Sequence, residues 1–122
     1  MEVLALDHVQ LAMPAGREEE ARKFYAEHLG MKECPKPANL QARGGVWFEA
    51  AAGKVRVHLG VEKDFRAARK AHPAFLVDDV IGLCKRIKDG NYEVVEDEPL
   101  EGYNRLYVYD PFGNRIELVQ RL

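Results

Sequence analysis

Short blocks of alternating apolar and polar residues run along the chain, and a helical pattern interrupts them twice. Residues 3–12 are apolar enough for a strand, and residues 17–29 then place apolar side chains at helical spacing. Three further strands are predicted near 31–35, 45–50 and 54–60, separated by glycine-containing pairs. The pattern therefore predicts a unit ordered strand, helix, strand, strand, strand.

The same order returns after a polar stretch, residues 62–71. A strand is predicted at 72–77 and a helix at 79–89, with Asp78 or Asp79 as its N-terminal cap. Three more strands are predicted near 92–96, 104–110 and 114–120. The chain thus reads as one domain, 1–122, made of two similar modules at about 1–61 and 72–122 that pair with each other.

Superposing the two halves aligns the polar residues that stand out in each. His8 falls on His72 and His58 falls on Glu117. Strand alternation places His58 opposite its apolar neighbours, and the same holds for Glu117, so both side chains should line the sheet face that the helices leave uncovered. The orientation of His8 and His72 follows from the repeat alone.

Three imidazoles and one carboxylate form a donor set that suits a divalent transition metal such as Zn, Ni, Fe, Mn or Co. Oxygen-rich cages are what Mg²⁺ and Ca²⁺ prefer instead. The alternative is four scattered polar residues that fall on strands without sharing a site.

Composition narrows the choice of partners. The chain has 122 residues, 47% of them hydrophobic, and a net charge of −2, which gives no electrostatic footprint for nucleic acid or an anionic membrane. A small-molecule or protein partner is expected. Neither a signal segment nor a long apolar run is present, so cytoplasmic location is the default expectation, and Cys34 and Cys84 are expected to be thiols.

Five segments together resemble one protein family, the vicinal-oxygen-chelate (glyoxalase/bleomycin-resistance/dioxygenase) superfamily, from about Leu6 to Gln120. They are DHVQLAMP, FYAEHLG, VRVHLG, HPAFLVDD and YDPFGNRIEL. The resemblance implies an α+β fold of two βαβββ modules that form a cupped mixed sheet with helices on the outer face. It also implies a divalent metal whose ligands stand on the first and last strands of each module, the positions of His8, His58, His72 and Glu117.

The ligand set departs from each branch of the superfamily. Glyoxalase I commonly has Glu or Gln where this chain has His58. Fosfomycin-modifying transferases and extradiol dioxygenases use a triad that matches His8, His72 and Glu117 without a fourth histidine. The metal-free, bleomycin-sequestering branch lacks these ligands.

By this resemblance we expect a metal-dependent lyase, isomerase or thiol transferase acting on a small oxygenated substrate, with Glu117, or another ligand released during turnover, as proton-transfer base. Four protein ligands leave fewer open positions for O₂ together with a bidentate substrate, which disfavours dioxygenation. A non-catalytic module that sequesters or senses a small ligand is the alternative. A homodimer is expected because long sheet edges need cover, and the superfamily sometimes exchanges modules between chains.

Candidate substrate-binding residues share the predicted metal-bearing face. Arg105, with Arg56 and Arg115, would form a cationic rim for a carboxylate or phosphonate; the alternative is solvated arginines. Tyr107 and Trp47 could wall an apolar pocket, although packing between modules also explains Trp47.

Three other polar features are weighed in the same way. Gln10 could hold a substrate oxygen or a bound water. His28 is expected to pack against its own helix region. The basic run Lys63, Arg66, Arg69 and Lys70 is expected to be a solvated linker.

Overall fold

The computed structural model describes all 122 residues. Eight strands and two α-helices follow one another in this order: β1 (Val9–Met13), α1 (Glu18–Arg22), β2 (Lys32–Cys34), β3 (Val46–Ala50), β4 (Val55–Val61), β5 (Ala74–Leu76), α2 (Val80–Asp89), β6 (Val94–Val95), β7 (Tyr103–Tyr109) and β8 (Arg115–Arg121). A π-helical turn (Lys23–His28) continues α1, and two 3₁₀ helices (Ala38–Arg43 and Ala51–Gly53) flank β3. No helix is both long and apolar enough to span a membrane.

Two four-stranded sheets, ordered β1-β4-β3-β2 and β5-β8-β7-β6, carry the fold. In each sheet the first and last strands of the module are parallel neighbours and the remaining pairs are antiparallel. This confirms the predicted α+β class and the two βαβββ modules. No backbone ladder joins the two sheets, so β1 and β5 each keep one free edge.

The first strand is shorter than the predicted 3–12. It begins at Val9, which pairs with Val57, and residues 1–8 lie outside any strand and are exposed. Because β4 starts only at Val55, residues before Asp7 have no neighbouring backbone in the sheet to pair with. Apolar side chains in this segment are therefore left in solvent.

The helices are fixed at their ends by local hydrogen bonds. Leu29 N–H donates to the Phe24 carbonyl at 2.8 Å, the i→i+5 pattern of a π-turn that the sequence did not predict. At the start of α2, the Asp79 carboxylate accepts from Gly82 N–H at 2.9 Å, which confirms the predicted cap.

One hydrophobic core is shared by both modules. Its largest fully buried side chains are Tyr25, Phe24, Phe48, Met13, Leu59, Ile87, Ile116 and Leu118. The π-turn packs against α2, and the Phe24 ring meets Tyr92 edge-on at 4.9 Å. The helical sides of both sheets are thus buried within a single chain, which leaves the opposite sheet faces for the polar residues.

Polar groups of the Asp110–Asn114 turn hold the modules together inside this core. Tyr25 donates to the Asp110 carboxylate at 2.7 Å, and the Asn114 amide donates to the Ala12 carbonyl at 2.8 Å. Asn114 also accepts from Ala68 N–H at 3.0 Å. Burial raises the pKa of Asp110, although the hydrogen bonds that its carboxylate accepts from Tyr25 and Asn114 oppose the shift. The turn therefore connects β1, the first helical segment and the linker.

Candidate metal centre

In each sheet three residues on neighbouring strands align across the sheet, and these two rows occupy equivalent positions in the two modules. Across the first sheet the backbone register aligns Gln10, His58 and Trp47. Across the second sheet the register aligns Ala74, Glu117 and Tyr107. His8 and His72 each stand two residues before the first member of their row, as the repeat in the sequence predicts.

The row in the first module is a stack of aromatic rings. The His8 and His58 rings lie 4.2 Å apart with planes 21° from parallel. The Trp47 ring lies 3.7 Å from His58 at 2°, so the His58 ring is held between the two others. Burial lowers the pKa of His58, and the neighbouring His8 lowers it further. His58 is thereby favoured as the neutral form that binds metals.

His8 is oriented by the residue that precedes it. Its Nδ1 lies 3.0 Å from the Asp7 carboxylate, and this hydrogen bond lowers the pKa of Asp7. A carboxylate can only accept, so the ring carries a proton on Nδ1, and in a neutral imidazole Nε2 is then the atom with a free lone pair. Metal-binding histidines are typically held in this way by a carboxylate or carbonyl.

In the second module a histidine faces a carboxylate. His72 Nδ1 lies 2.8 Å from the Lys70 carbonyl, which can only accept, and Nε2 lies 3.2 Å from Glu117 Oε1. In a neutral imidazole Nε2 is then an acceptor as well. Two acceptors at this distance need a proton or a cation between them.

Glu117 is also contacted by an arginine. Only 9% of the residue is exposed, and its second oxygen lies 3.4 Å from Arg105 Nη1. Arg105 further donates to the Glu98 carbonyl at 2.8 Å and lies 3.5 Å from the Asp97 carboxylate. Tyr107 accepts from the same guanidinium at 3.4 Å. The predicted anion-binding arginine is therefore engaged by protein groups.

The other two arginines of the predicted rim behave differently from each other. Arg56 is exposed and its Nε donates to the Gly53 carbonyl at 3.0 Å. The Arg115 guanidinium lies 3.6 Å from the centre of the Tyr107 ring, and its buried Nε has no hydrogen-bond partner.

His28 and the basic run of the linker are the two features that the sequence predicts to lie outside the site. His28 packs edge-on against Tyr92 at 5.1 Å, and its Nδ1 lies 2.8 Å from the Lys23 carbonyl. In the linker Lys63, Arg66 and Lys70 are exposed. Arg69 departs from a purely solvated linker, because its guanidinium lies 4.1 Å from the Tyr109 ring centre and donates to the Gly113 carbonyl.

Within one chain the two predicted ligand pairs stay separate. No group of three or more His, Cys, Asp or Glu side chains is placed to hold one metal ion. Between the free edges of β1 and β5 lies an open cleft of about 600 Å³, lined by residues of both modules that include Leu6, Gln10 and His72. The pairs would need a second chain, or a movement of the modules, to share one ion.

Sequence reasoning missed two residues that shape these pairs. Asp7 was signalled only by its position next to His8. Asp97 lies in the connection between β6 and β7, where no periodic pattern indicates which way a side chain points.

Comparison with known proteins places the chain in a family. The model for the Glyoxalase/Bleomycin resistance protein/Dioxygenase superfamily matches residues 5–118, nearly the whole chain. The protein belongs to this superfamily, as the sequence motifs predicted.

Solved structures give its particular relatives. A glyoxalase family protein from Bacillus anthracis is 43% identical, with a TM-score of 0.93, and the match covers 100% of this chain and 98% of that one. The fosfomycin resistance protein FosX from Listeria monocytogenes is 18% identical, with a TM-score of 0.73 and coverage of 99% and 94%. TnmS3, an antibiotic binding protein from Streptomyces sp. CB03234, is 21% identical, with a TM-score of 0.73 and coverage of 98% and 100%. No curated protein matches the sequence.

Proposed function

We propose that this protein is a divalent-metal-dependent enzyme of the glyoxalase type that acts on a small, oxygenated, anionic substrate by isomerisation or thiol addition. His8, His58, His72 and Glu117 would hold the metal. Its fold and superfamily allow both this activity and ligand sequestration, so the choice rests on the chemistry of the two ligand pairs.

The facing acceptors of His72 and Glu117 carry the proposal. Nδ1 of His8 faces the Asp7 carboxylate and Nδ1 of His72 faces the Lys70 carbonyl, so each ring directs Nε2 away from that acceptor. Glu117 Oε1 lies 3.2 Å from one of these nitrogens. A transition-metal cation between them would satisfy both, and nitrogen and carboxylate donors are the ligands such ions prefer.

The bound metal would act as a Lewis acid that stabilises negative charge developing on a substrate oxygen. Glu117 is the candidate base, because its carboxylate lies beside His72 at the proposed metal centre, where it would be within reach of a substrate proton. Arg105 would hold the Glu117 carboxylate in position and could exchange its contacts with Glu98 and Asp97 for an anionic substrate.

The remaining predicted substrate residues keep their places on the ligand-bearing faces. Tyr107 and Trp47 stand beside Glu117 and His58 in register, and Gln10 stands on the other side of His58. We propose that these three line the substrate cup, with exposed Arg56 at its rim.

A homodimer with exchanged modules would bring the pairs together. The edges of β1 and β5 are unpaired, and edges of this kind readily pair with another chain. Beside them, Val3, Leu4 and Leu6 of the N-terminal segment are 93%, 86% and 77% exposed, and Leu76 of β5 is 58% exposed. A second copy would cover these apolar side chains. Light scattering at micromolar concentration should give a dimer; a monomer would contradict this arrangement.

Elemental analysis tests the metal site directly. Protein reconstituted with Zn, Ni, Fe, Mn or Co and then desalted should retain about one ion per chain, the ratio set by one four-ligand site for each chain. His72→Ala should retain almost none. His28→Ala is the matched control, because it removes a histidine that packs against Tyr92 outside the site. If the wild type binds none of the five metals at neutral pH, the proposed centre is wrong.

Activity tests separate catalysis from sequestration. Metal-loaded protein would be assayed with α-hydroxy acids, α-keto acids, hemithioacetals and phosphonates. Turnover of one class that is abolished by removing the metal supports the enzyme. Tight, saturable binding of a ligand without turnover would instead support a binding protein.

A further inference from the structure

The connection between β2 and β3 covers a small cavity next to the first ligand pair. This connection contains the 3₁₀ helix Ala38–Arg43 and returns to β3 through Gly44 and Gly45. Both glycines have positive φ, and a Cβ on Gly45 would lie 2.2 Å from the Leu59 carbonyl. The backbone of this connection therefore packs directly against β4. The cavity has a volume of about 240 Å³.

The cavity adjoins His58 through the two residues that flank it across the sheet. Gln10 and Trp47 are the register neighbours of His58 on either side, and both line the cavity. The Trp47 ring also stacks on His58 at 3.7 Å. A molecule bound at the first ligand pair would thus have this cavity beside it.

Two cations and no carboxylate line the cavity. Lys36 and Arg43 are among its lining residues, with Leu40 as an apolar wall. Neither cation has a carboxylate oxygen within the 4.0 Å of an ion pair. Lys36 donates only to the Gly44 carbonyl, and the nearby Glu18 carboxylate accepts from Gly45 N–H at 3.3 Å. The cavity is therefore electropositive in a chain whose net charge is −2.

The position of the Gln10 side chain depends on Gly60, which has no side chain of its own. A Cβ on Gly60 would lie 2.5 Å from Gln10 Nε2. Gly60 thus allows Gln10 to lie flat along β4, where its amide can face a bound group. Arg105, the arginine that the sequence favoured as anion anchor, already contacts Glu117 and Asp97. Lys36 and Arg43 have no such competing carboxylates.

We propose that this cavity binds the distal anionic group, a carboxylate or phosphonate, of a substrate whose other oxygens occupy the metal centre. This inference rests on the proposed function for its substrate. Lys36 and Arg43 would pair with the anion, Gln10 would donate to it, and Leu40 and Trp47 would contact the short apolar part between the two ends. A substrate with oxygens at both ends would be selected over one with a single polar end.

The test uses metal-free protein, so that the metal cannot bind the probe. Inorganic phosphate and malonate would each be titrated by calorimetry into wild type, a Lys36→Gln/Arg43→Gln variant and a control. The control, Lys32→Gln/Arg121→Gln, removes the same charge from exposed positions outside the cavity. We expect the cavity variant to weaken the better probe at least about tenfold, the scale of one lost charge-assisted contact, and the control to change it little.

A second variant keeps both cations. Gly60→Ala should displace the Gln10 amide from its position along β4 and weaken the same probe without changing the net charge. Equal affinities in the cavity variant and its control would overturn the proposal, as would no saturable binding of either probe to wild type up to about 10 mM. Metal content, measured on every variant, separates the two claims. Probe binding that needs Lys36 and Arg43 in a protein that takes up no metal would support the cavity and refute the metal enzyme.

Discussion

The rows Gln10–His58–Trp47 and Ala74–Glu117–Tyr107 occupy equivalent places in the two sheets but differ in chemistry. In the first row the His58 ring is stacked with His8 and Trp47, and an electropositive cavity lies beside this stack. The second holds a buried carboxylate among charged and hydrogen-bonding groups. A repeated backbone has thus kept its geometry while its two copies carry different side chains, which we propose form the two parts of one site.

Burial explains why the second row needs more partners than the first. A carboxylate removed from water is costly unless charges or hydrogen bonds compensate, and Glu117 has Arg105 beside one oxygen and, facing His72, a place for a proton or a cation beside the other. A neutral imidazole such as His58 has a much smaller penalty, and ring stacking suffices to hold it. This difference predicts that substitutions of charged residues will change the metal affinity mainly when they lie in the second module.

The largest expected effect within this comparison comes from Arg105→Ala. Without its guanidinium, Glu117 loses the contact at 3.4 Å that orients its carboxylate. Metal affinity should fall about 10- to 100-fold, the range for groups that support a metal ligand, as measured by competition with a chelator. Arg56→Ala is the matched control, because that exposed arginine donates to the Gly53 carbonyl and makes no hydrogen bond to a proposed metal ligand. An equal loss of metal affinity in Arg105→Ala and Arg56→Ala would contradict the proposed difference between the two rows.

A smaller effect is expected in the titration of the first row. Trp47 is the only tryptophan and stacks on His58, so its fluorescence should report the charge of that ring. Burial and His8 lower the pKa of His58, so the fluorescence transition of metal-free protein should fall below the ordinary histidine value of about 6.5. Stability contributed by neutral His58 is complete above that value and is lost as the pH falls through the lowered pKa.

Two variants sharpen this titration. Asp7→Asn should lower the midpoint further, because the Asp7 carboxylate favours the protonated ring. His58→Gln should abolish the transition. A wild-type midpoint above the ordinary histidine value would show that His58 is not held as a neutral ring between His8 and Trp47.

Strand periodicity made much of the fold and of the site predictable. His58 and Glu117 follow alternating apolar residues, so their faces could be read directly, and the repeat then placed His8 and His72 beside them. The pairs His8–His58 and His72–Glu117 are both found. Local period and repeat sufficed because each pair joins a residue of the last strand to a histidine just before the first strand of the same module, and these two strands are parallel neighbours.

Features that depend on irregular segments could not be read in this way. The partners of Arg105, Asp97 and Glu98, lie in a connection without periodicity. The cavity beside His58 depends on a 3₁₀ helix whose path is set by close backbone approach at Gly45. The lack of a strand partner for residues 1–6 depends on where β4 begins. In each case the deciding contact is between segments distant in sequence.

The central claim is that one ligand pair from each module, on different chains, forms one metal site. The most direct measurement is the metal content of a heterodimer between His8→Ala and Glu117→Ala chains, co-expressed with different affinity tags and purified through both. Because each site would take one module from each chain, one of the two sites would contain both substitutions and the other would contain neither. We predict one ion per heterodimer under conditions in which both parent homodimers bind none and the wild type binds about two per dimer. A heterodimer without metal, beside a metal-loaded wild type, would contradict the account.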